Sequence, residues 1–137
     1  MNDDEMVERI RSIYEFGDME AYGKALNEMA SDDMVQEWPQ SGERIRGRAN
    51  IAALNENYPS GSGTTPKATL RRIVKPGDAW VIEATIDYGD GIPVSAVSII
   101  ETEDGKIVRQ TDYFANPFEA PAWRSQWVEK MEPVSVG

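Results

Sequence analysis

The chain has 137 residues, of which 40% are hydrophobic and 28% charged, and its 24 acidic and 14 basic residues give a net charge of −10. It contains no cysteine and no histidine, which excludes disulfides, thiolate chemistry, a Ser-His-Asp triad and a His-ligated zinc site. The length suits one domain spanning residues 1–137, and so acidic a surface argues against nucleic-acid binding.

The first part of the chain predicts three helices and two short extended segments. Apolar residues recur at three- and four-residue spacing in the helices, and Gly17-Asp18 ends the first helix and caps the second. Ser31-Asp32-Asp33 is predicted as a loop. In chain order the helices run from about Glu5 to Phe16, Met19 to Met29 and Arg48 to Tyr58, and the extended segments are Met34–Trp38 and Glu43–Arg46.

Four strands are predicted after a low-complexity loop at Ser60–Pro66. Short, turn-rich links between them indicate an antiparallel meander. The expected fold is therefore α+β, with three N-terminal helices packed on a curved antiparallel sheet around a cone-shaped pocket. Trp123 and Trp127, in a predicted helical turn, are expected to pack on the sheet or on a partner subunit. The four strands are Ala68–Lys75, Ala79–Tyr88, Ile92–Glu103 and Lys106–Phe114.

The last predicted strand holds the main functional candidate, Asp112. Alternation places Val108, Gln110, Asp112 and Phe114 on one face. If this is the inner face, Asp112 is a carboxylate in an apolar place, which is costly unless it is hydrogen-bonded, paired or functional. It is then either a catalytic general base or acid, or a structural carboxylate bonded to the backbone or to an arginine. The sequence leaves both open.

Other candidates for ligand contact lie on the helices and the first strand. Tyr14 and Tyr22 lie on apolar helical stripes, as core residues or as hydrogen-bond donors to a ligand. Glu37 and Trp38 are adjacent, so only one of them points inward. The predicted ligand-binding residues are Tyr14, Tyr22, Glu37, Trp38, Gln110 and Phe114.

Three segments, in this order, resemble the nuclear transport factor 2-like superfamily and its SnoaL-like domains. They are Gly17-Asp18, then Met34–Pro39 with Gly47–Ile51, and then Gly105–Val108 leading to Asp112-Tyr113-Phe114. The resemblance spans nearly the whole chain and implies a cystatin-like fold. It says less about function, because the superfamily contains enzymes, binding proteins and assembly domains.

The resemblance does not extend to the catalytic groups of particular enzymes. Steroid isomerases have an Asp base where this chain has Trp38, and their second oxyanion donor, a protonated Asp, falls near Val97 or Ser98. Limonene-epoxide hydrolases share an Asp at the position of Asp112, but their Arg and second Asp fall on Ala84 and Ile86. SnoaL-like cyclases use a His partner as well, and this chain has none.

The resemblance therefore implies an apolar pocket for a small hydrophobic molecule. The protein would be an isomerase, cyclase or hydrolase with a carboxylate base, or alternatively a non-catalytic binding or assembly domain. We expect a homodimer through the sheet face, no metal and no cofactor. The acidic N-terminus lacks the features of a signal peptide and no apolar run approaches a membrane span, so we expect a cytoplasmic protein without a membrane partner.

Overall fold

The computed structural model describes residues 1–57 and 66–132. Three helices and six strands are followed by a short 3-10 helix at Ala122–Trp127. The predicted helix end at Tyr58 and the predicted loop at 60–65 lie outside the described residues. In chain order the elements are α1 (Asp3–Phe16), α2 (Met19–Met29), β1 (Ala30–Trp38), β2 (Glu43–Arg46), α3 (Arg48–Glu56), β3 (Lys67–Val74), β4 (Ala79–Asp87), β5 (Val94–Glu103) and β6 (Lys106–Ala115).

The strands form one sheet in the order β2-β1-β6-β5-β4-β3. The predicted antiparallel meander is present from β3 to β6, but β1 pairs with β6 in parallel. The sheet is therefore mixed and not wholly antiparallel. A parallel pair needs a long crossover connection, which α3 and strands β2 to β5 supply here. The predicted α+β class is confirmed.

The first strand is longer than predicted. Ser31-Asp32-Asp33, expected as a loop, belongs to β1, because Ala30 already pairs with Ile107. The register then shifts before Val35. Such a bulge keeps exposed polar residues within a strand without placing them in the core.

A second irregularity lies in β6, at Val108. Ile107 pairs with Thr102 and Arg109 with Glu101, so Val108 is left without a partner on β5. Strict alternation predicts Ile107 on the outer face, but Ile107 is fully buried, because the extra residue changes the phase of the strand. Beyond this bulge Gln110 and Asp112 are both buried, on the inner face as predicted.

The helices cover the inner face of the sheet. α1 and α2 pack on each other, while α1 also contacts β3, α2 contacts β6 and α3 contacts β1. Asn2 and Asp18 cap α1 and α2 by accepting hydrogen bonds from the N–H groups of Glu5 and Ala21, each cap contributing about 1 kcal/mol. The largest fully buried side chains are Met6, Ile10, Trp80, Ile82, Ile100 and Ile107.

The C-terminal segment is exposed. Trp123 and Trp127 keep 75% and 72% of their surface accessible, so the expectation that they pack on the sheet of their own chain is wrong. Their packing on a partner subunit stays a prediction. In the part of the chain that the structure describes, no helix is long and apolar enough to cross a membrane.

Candidate functional site

Asp112 lies on the inner face of β6, and 4% of its surface is exposed. Its strand is central, with β1 on one side and β5 on the other. Ser98 is its direct partner on β5, and Gln36 of β1 is paired with Gln110. Inward side chains from three adjacent strands therefore converge on one carboxylate.

Four side chains donate hydrogen bonds to this carboxylate. Oδ2 accepts from Nε2 of Gln36 at 2.7 Å and from Nε1 of Trp38 at 2.9 Å. Oδ1 accepts from Oγ of Ser98 at 2.6 Å and from Nε2 of Gln110 at 2.9 Å. An ionised carboxylate accepts at about four positions, so these donors fill its capacity.

All four donors of the Asp112 carboxylate are neutral. Among residues 1–57 and 66–132, no lysine or arginine forms an ion pair with it. The carboxylate is thus solvated by oriented dipoles, and its negative charge is not neutralised. Buried carboxylates held in this way are found at structural and at functional positions.

Two tyrosines approach the carboxylate from the helices. The rings of Tyr14 in α1 and Tyr22 in α2 are 5.3 Å apart between centroids, with planes tilted by 60°. Burial raises the pKa of Tyr14 to about 12, against the lowering effect of its hydrogen bond with Tyr22, and the charge of Asp112 adds to the rise. Burial also raises the pKa of Tyr22 well above its usual value, assisted by Tyr14 and Asp112. Both hydroxyls therefore keep their protons at neutral pH.

The hydroxyl groups of Tyr14, Tyr22 and Ser98 lie in sequence towards Asp112. Interaction with Tyr22 lowers the pKa of Tyr14 and interaction with Tyr14 raises the pKa of Tyr22, so Tyr22 is the donor of this pair. Interaction with Ser98 lowers the pKa of Tyr22, while the hydroxyl of Ser98 donates to the carboxylate. Tyr14 therefore accepts from Tyr22 and can donate its own proton elsewhere.

Short side chains lie beside this network on the inner face. Ala96 pairs with Ala84 on one neighbouring strand and with Phe114 on the other. Both alanines are 7% exposed, and Phe114 is 37% exposed. This row occupies less volume than the row of Trp80 and Ile100, which lies on the other side of the row that holds Asp112.

The structure does not bring Glu37 to the site. Glu37 lies on the opposite face of β1, where its carboxylate pairs with Arg44 at 2.7 Å and with Arg109 at 2.9 Å. The hydrogen bonds from Arg44 hold the pKa of Glu37 below its usual value, and Arg109 adds to this. Trp38 has the inward position because alternation allows only one of the pair to face the core.

The other predicted site residues lie at or near Asp112. Tyr14, Tyr22, Trp38 and Gln110 belong to its hydrogen-bonded surroundings, and Phe114 lies at the margin. Gln36 and Ser98 were missed by the sequence reasoning. Gln36 is two residues before Trp38 and therefore shares its face, and Ser98 is found once the β5–β6 register is known.

Two surface clefts lie at the other end of the sheet, with volumes of about 450 and 380 Å³. Asp78, Thr102 and Glu103 line both of them, and none of the lining residues is buried. Exposed acidic groups of this kind are ordinarily solvated. The buried, fully hydrogen-bonded carboxylate of Asp112 is therefore the better candidate for the functional site.

Comparison with known proteins places the fold in a family. The family model for the SnoaL-like domain matches residues 7–110. An NTF-2-like protein of unknown function from Burkholderia xenovorans LB400 shares 39% identity, with a TM-score of 0.76 and coverage of 94% of this chain and 98% of that chain. A comparison with curated proteins found no match.

Two further solved structures carry names that refer to enzymes. A protein of Kribbella flavida, provisionally named a ketosteroid isomerase, shares 27% identity over 85% of this chain and 82% of its own, with a TM-score of 0.70. An LEH-like epoxide hydrolase of M. tuberculosis shares 25% identity over 69% of this chain and 71% of its own, with a TM-score of 0.54. With the family model covering residues 7–110, the chain belongs to the SnoaL-like family.

Proposed function

We propose that this SnoaL-like domain binds a small, largely apolar molecule between α1, α2 and the inner face of the sheet. The observation that carries the proposal is the convergence of four donors on the buried carboxylate of Asp112. Burying a carboxylate costs several kcal/mol, and apolar side chains of similar volume are often as stabilising. A network of this kind is therefore better explained by a ligand that it recognises than by stability.

The surroundings of the network suggest how such a molecule is held. Ala84 and Ala96 offer an apolar surface with short side chains next to Asp112. Tyr14 offers a hydroxyl proton at the edge of this network, since its oxygen accepts from Tyr22. Apolar walls with a few convergent polar groups are typical of small-molecule sites. An apolar body with one polar group fits this arrangement.

Direct base catalysis by Asp112 is less well supported. Its acceptor positions are occupied by Gln36, Trp38, Ser98 and Gln110. A substrate proton would reach the carboxylate only if one of these donors moved away. Binding is therefore the primary function that we infer.

An isomerase, cyclase or hydrolase reaction is a second candidate function. It would begin with transfer of a substrate proton to Asp112 after one of the four donors has moved away, which gives a deprotonated substrate and a protonated carboxyl group. Relatives with the same fold are named as an isomerase and an epoxide hydrolase.

A pair of leucine variants tests the binding proposal. Ala96→Leu adds bulk to the inner face beside Asp112, whereas Ser95→Leu adds the same side chain to the exposed outer face of the same strand. We expect hydrophobic molecules that raise the Tm of the wild type to lose this effect on Ala96→Leu and keep it on Ser95→Leu. Equal stabilisation of both variants would show that the molecules bind elsewhere.

A homodimer through the outer face of the sheet and a cytoplasmic location also remain our proposals. Val97 and Tyr113 are paired there on β5 and β6, and Tyr113 is 42% exposed. Sedimentation across a range of concentrations tests the dimer, and a monomer at every concentration would contradict it.

A further inference from the structure

We propose that the molecule bound beside Asp112 carries a positive charge, as a protonated or quaternary amine attached to an apolar body. This inference rests on the proposed function, since it names the ligand class of the same site. It is argued from the uncompensated charge, the aromatic side chains and the reach of the charge.

The first argument is the charge of the carboxylate. Gln36, Trp38, Ser98 and Gln110 stabilise it as neutral dipoles, and neutral donors leave one net negative charge in the site. Charges interact more strongly in the weakly polar interior than in water. A cation placed near Asp112 is therefore attracted, and an anion is repelled.

The nearby arginines do not neutralise this charge. Arg44 and Arg109 are engaged with Glu37 on the outer face of the sheet. Arg109 also lies within 3.6 Å of Glu101. The carboxylate of Asp112 thus keeps its negative charge while that of Glu37 on the outer face is paired, so a cation is the complementary partner of the inner face.

The second argument is the set of aromatic side chains. Trp38 is fixed by its bond to Asp112, and Tyr22 is linked to the carboxylate through Ser98. Tyr14 lies against Tyr22. The faces of tryptophan and tyrosine rings attract ammonium groups, most strongly where water is excluded. Several aromatic rings around one carboxylate favour an organic cation over a hydrated metal ion.

The third argument is the reach of the charge. The charge of Asp112 contributes to the raised pKa of both Tyr14 and Tyr22, so its field extends to the helices that cover the sheet. A net charge of −10 adds long-range attraction for a cation.

A pair of isosteric probes tests the proposal. Benzyltrimethylammonium and neopentylbenzene have nearly the same shape and differ in one charge, and benzenesulfonate serves as the anion. We expect calorimetry on the wild-type protein to show the cation binding about tenfold more tightly than the neutral probe. The anion should not bind.

The Asp112→Asn variant locates the source of the preference. It removes the charge with little change of shape, and we expect the affinity ratio of cation to neutral probe to approach one. The neutral probe should keep its affinity, which also shows that the variant is folded. A variant that still prefers the cation as strongly as the wild type would overturn the proposal.

Two further variants keep the test decisive if Asp112→Asn does not fold. Tyr14→Leu removes a half-buried ring, and we expect it to weaken the cation several-fold more than the neutral probe. The double variant Asp78→Asn, Glu103→Gln removes charge from the surface clefts and should leave the preference intact. Loss of cation binding in the double variant, with Tyr14→Leu behaving as wild type, would assign the cation to the clefts and overturn the proposal.

The outcomes separate this inference from the proposed function. Neutral and cationic probes that bind the wild type equally would contradict the charge preference and leave the binding site standing. A wild type that binds neither these probes nor any molecule of a hydrophobic screen would count against both.

Discussion

Trp38 and Asp112, 74 residues apart in the chain, are joined by a hydrogen bond of 2.9 Å from the indole Nε1 to Oδ2 of the carboxylate. The parallel pairing of β1 with β6 brings them together. Donors from β1 reach Oδ2, and donors from β5 and β6 reach Oδ1. The carboxylate therefore ties β1 to β5 and β6.

Trp38→Phe should lower the free energy of unfolding. The phenyl ring keeps most of the aromatic contact but cannot donate to Asp112, and a hydrogen bond to a charged group contributes about 1.5–3 kcal/mol. Chemical denaturation measures the loss. Trp127→Phe is the matched control, because Trp127 is 72% exposed and should tolerate the change. If both variants are as stable as the wild type, the indole bond does not stabilise the site.

Ala96→Leu should cost little stability. If space for a ligand adjoins Ala96, the leucine fills it and the loss should stay below about 1 kcal/mol, whereas overpacking a filled core costs about 1–3 kcal/mol. The loss of stability caused by Ser95→Leu, on the exposed face of the same strand, gives the reference value. A loss for Ala96→Leu that exceeds the reference by about 2 kcal/mol or more would argue that this part of the inner face is already filled.

Tyr14 should titrate with a pKa of about 12. Because this value lies above the ordinary value of about 10, the protonated hydroxyl stabilises the fold fully below about pH 10, and this contribution is lost as the pH rises from 10 to 12. NMR of ¹³C-labelled tyrosine measures the titration, with Tyr14→Phe for assignment. Asp112→Asn should lower the pKa of Tyr14. Titration of Tyr14 at about 10 would contradict its burial beside Asp112.

Glu37 should stabilise the fold at neutral pH through Arg44 and Arg109. Since these partners lower the pKa of Glu37, its contribution is present above the ordinary value of about 4.3 and is lost as the pH falls through the lowered pKa. Wild type and Glu37→Gln should therefore differ in Cm at pH 7 and converge in strong acid. Glu129→Gln, in the exposed tail, is the control. A constant difference at every pH would mean that charge pairing is not responsible.

Much of the fold could be predicted because local signals are strong. The helix Met19–Met29 and the segment Glu43–Arg46 have the predicted limits, since a capping aspartate and nearby turn residues mark their ends. The parallel pairing of β1 with β6 could not be predicted, because it joins segments that are far apart in the chain. The bulge at Val108 could not be predicted either. It changes which residues of β6 face the core, and no glycine or proline marks its position.

Part of the candidate site could also be predicted from local signals. Asp112 stands out as an acidic residue among apolar neighbours, and Gln110 follows from alternation on the same strand. Ser98 was not selected because its role depends on the register between β5 and β6, which local periodicity does not determine. Glu37 and Trp38 are both candidates in the sequence, because two neighbouring residues on a short strand cannot be assigned to a face until the pairing of the strand is known.

The most direct test of the Asp112 site is an NMR titration with benzyltrimethylammonium or neopentylbenzene, whichever binds more tightly. The indole Nε1–H of Trp38 and the side-chain amides of Gln36 and Gln110 each donate to the carboxylate. We predict that their resonances shift together with one Kd, and that this response is lost in Ala96→Leu. Shifts confined to the surface around Asp78 and Glu103, with the Trp38 indole unmoved, would contradict a ligand site at Asp112.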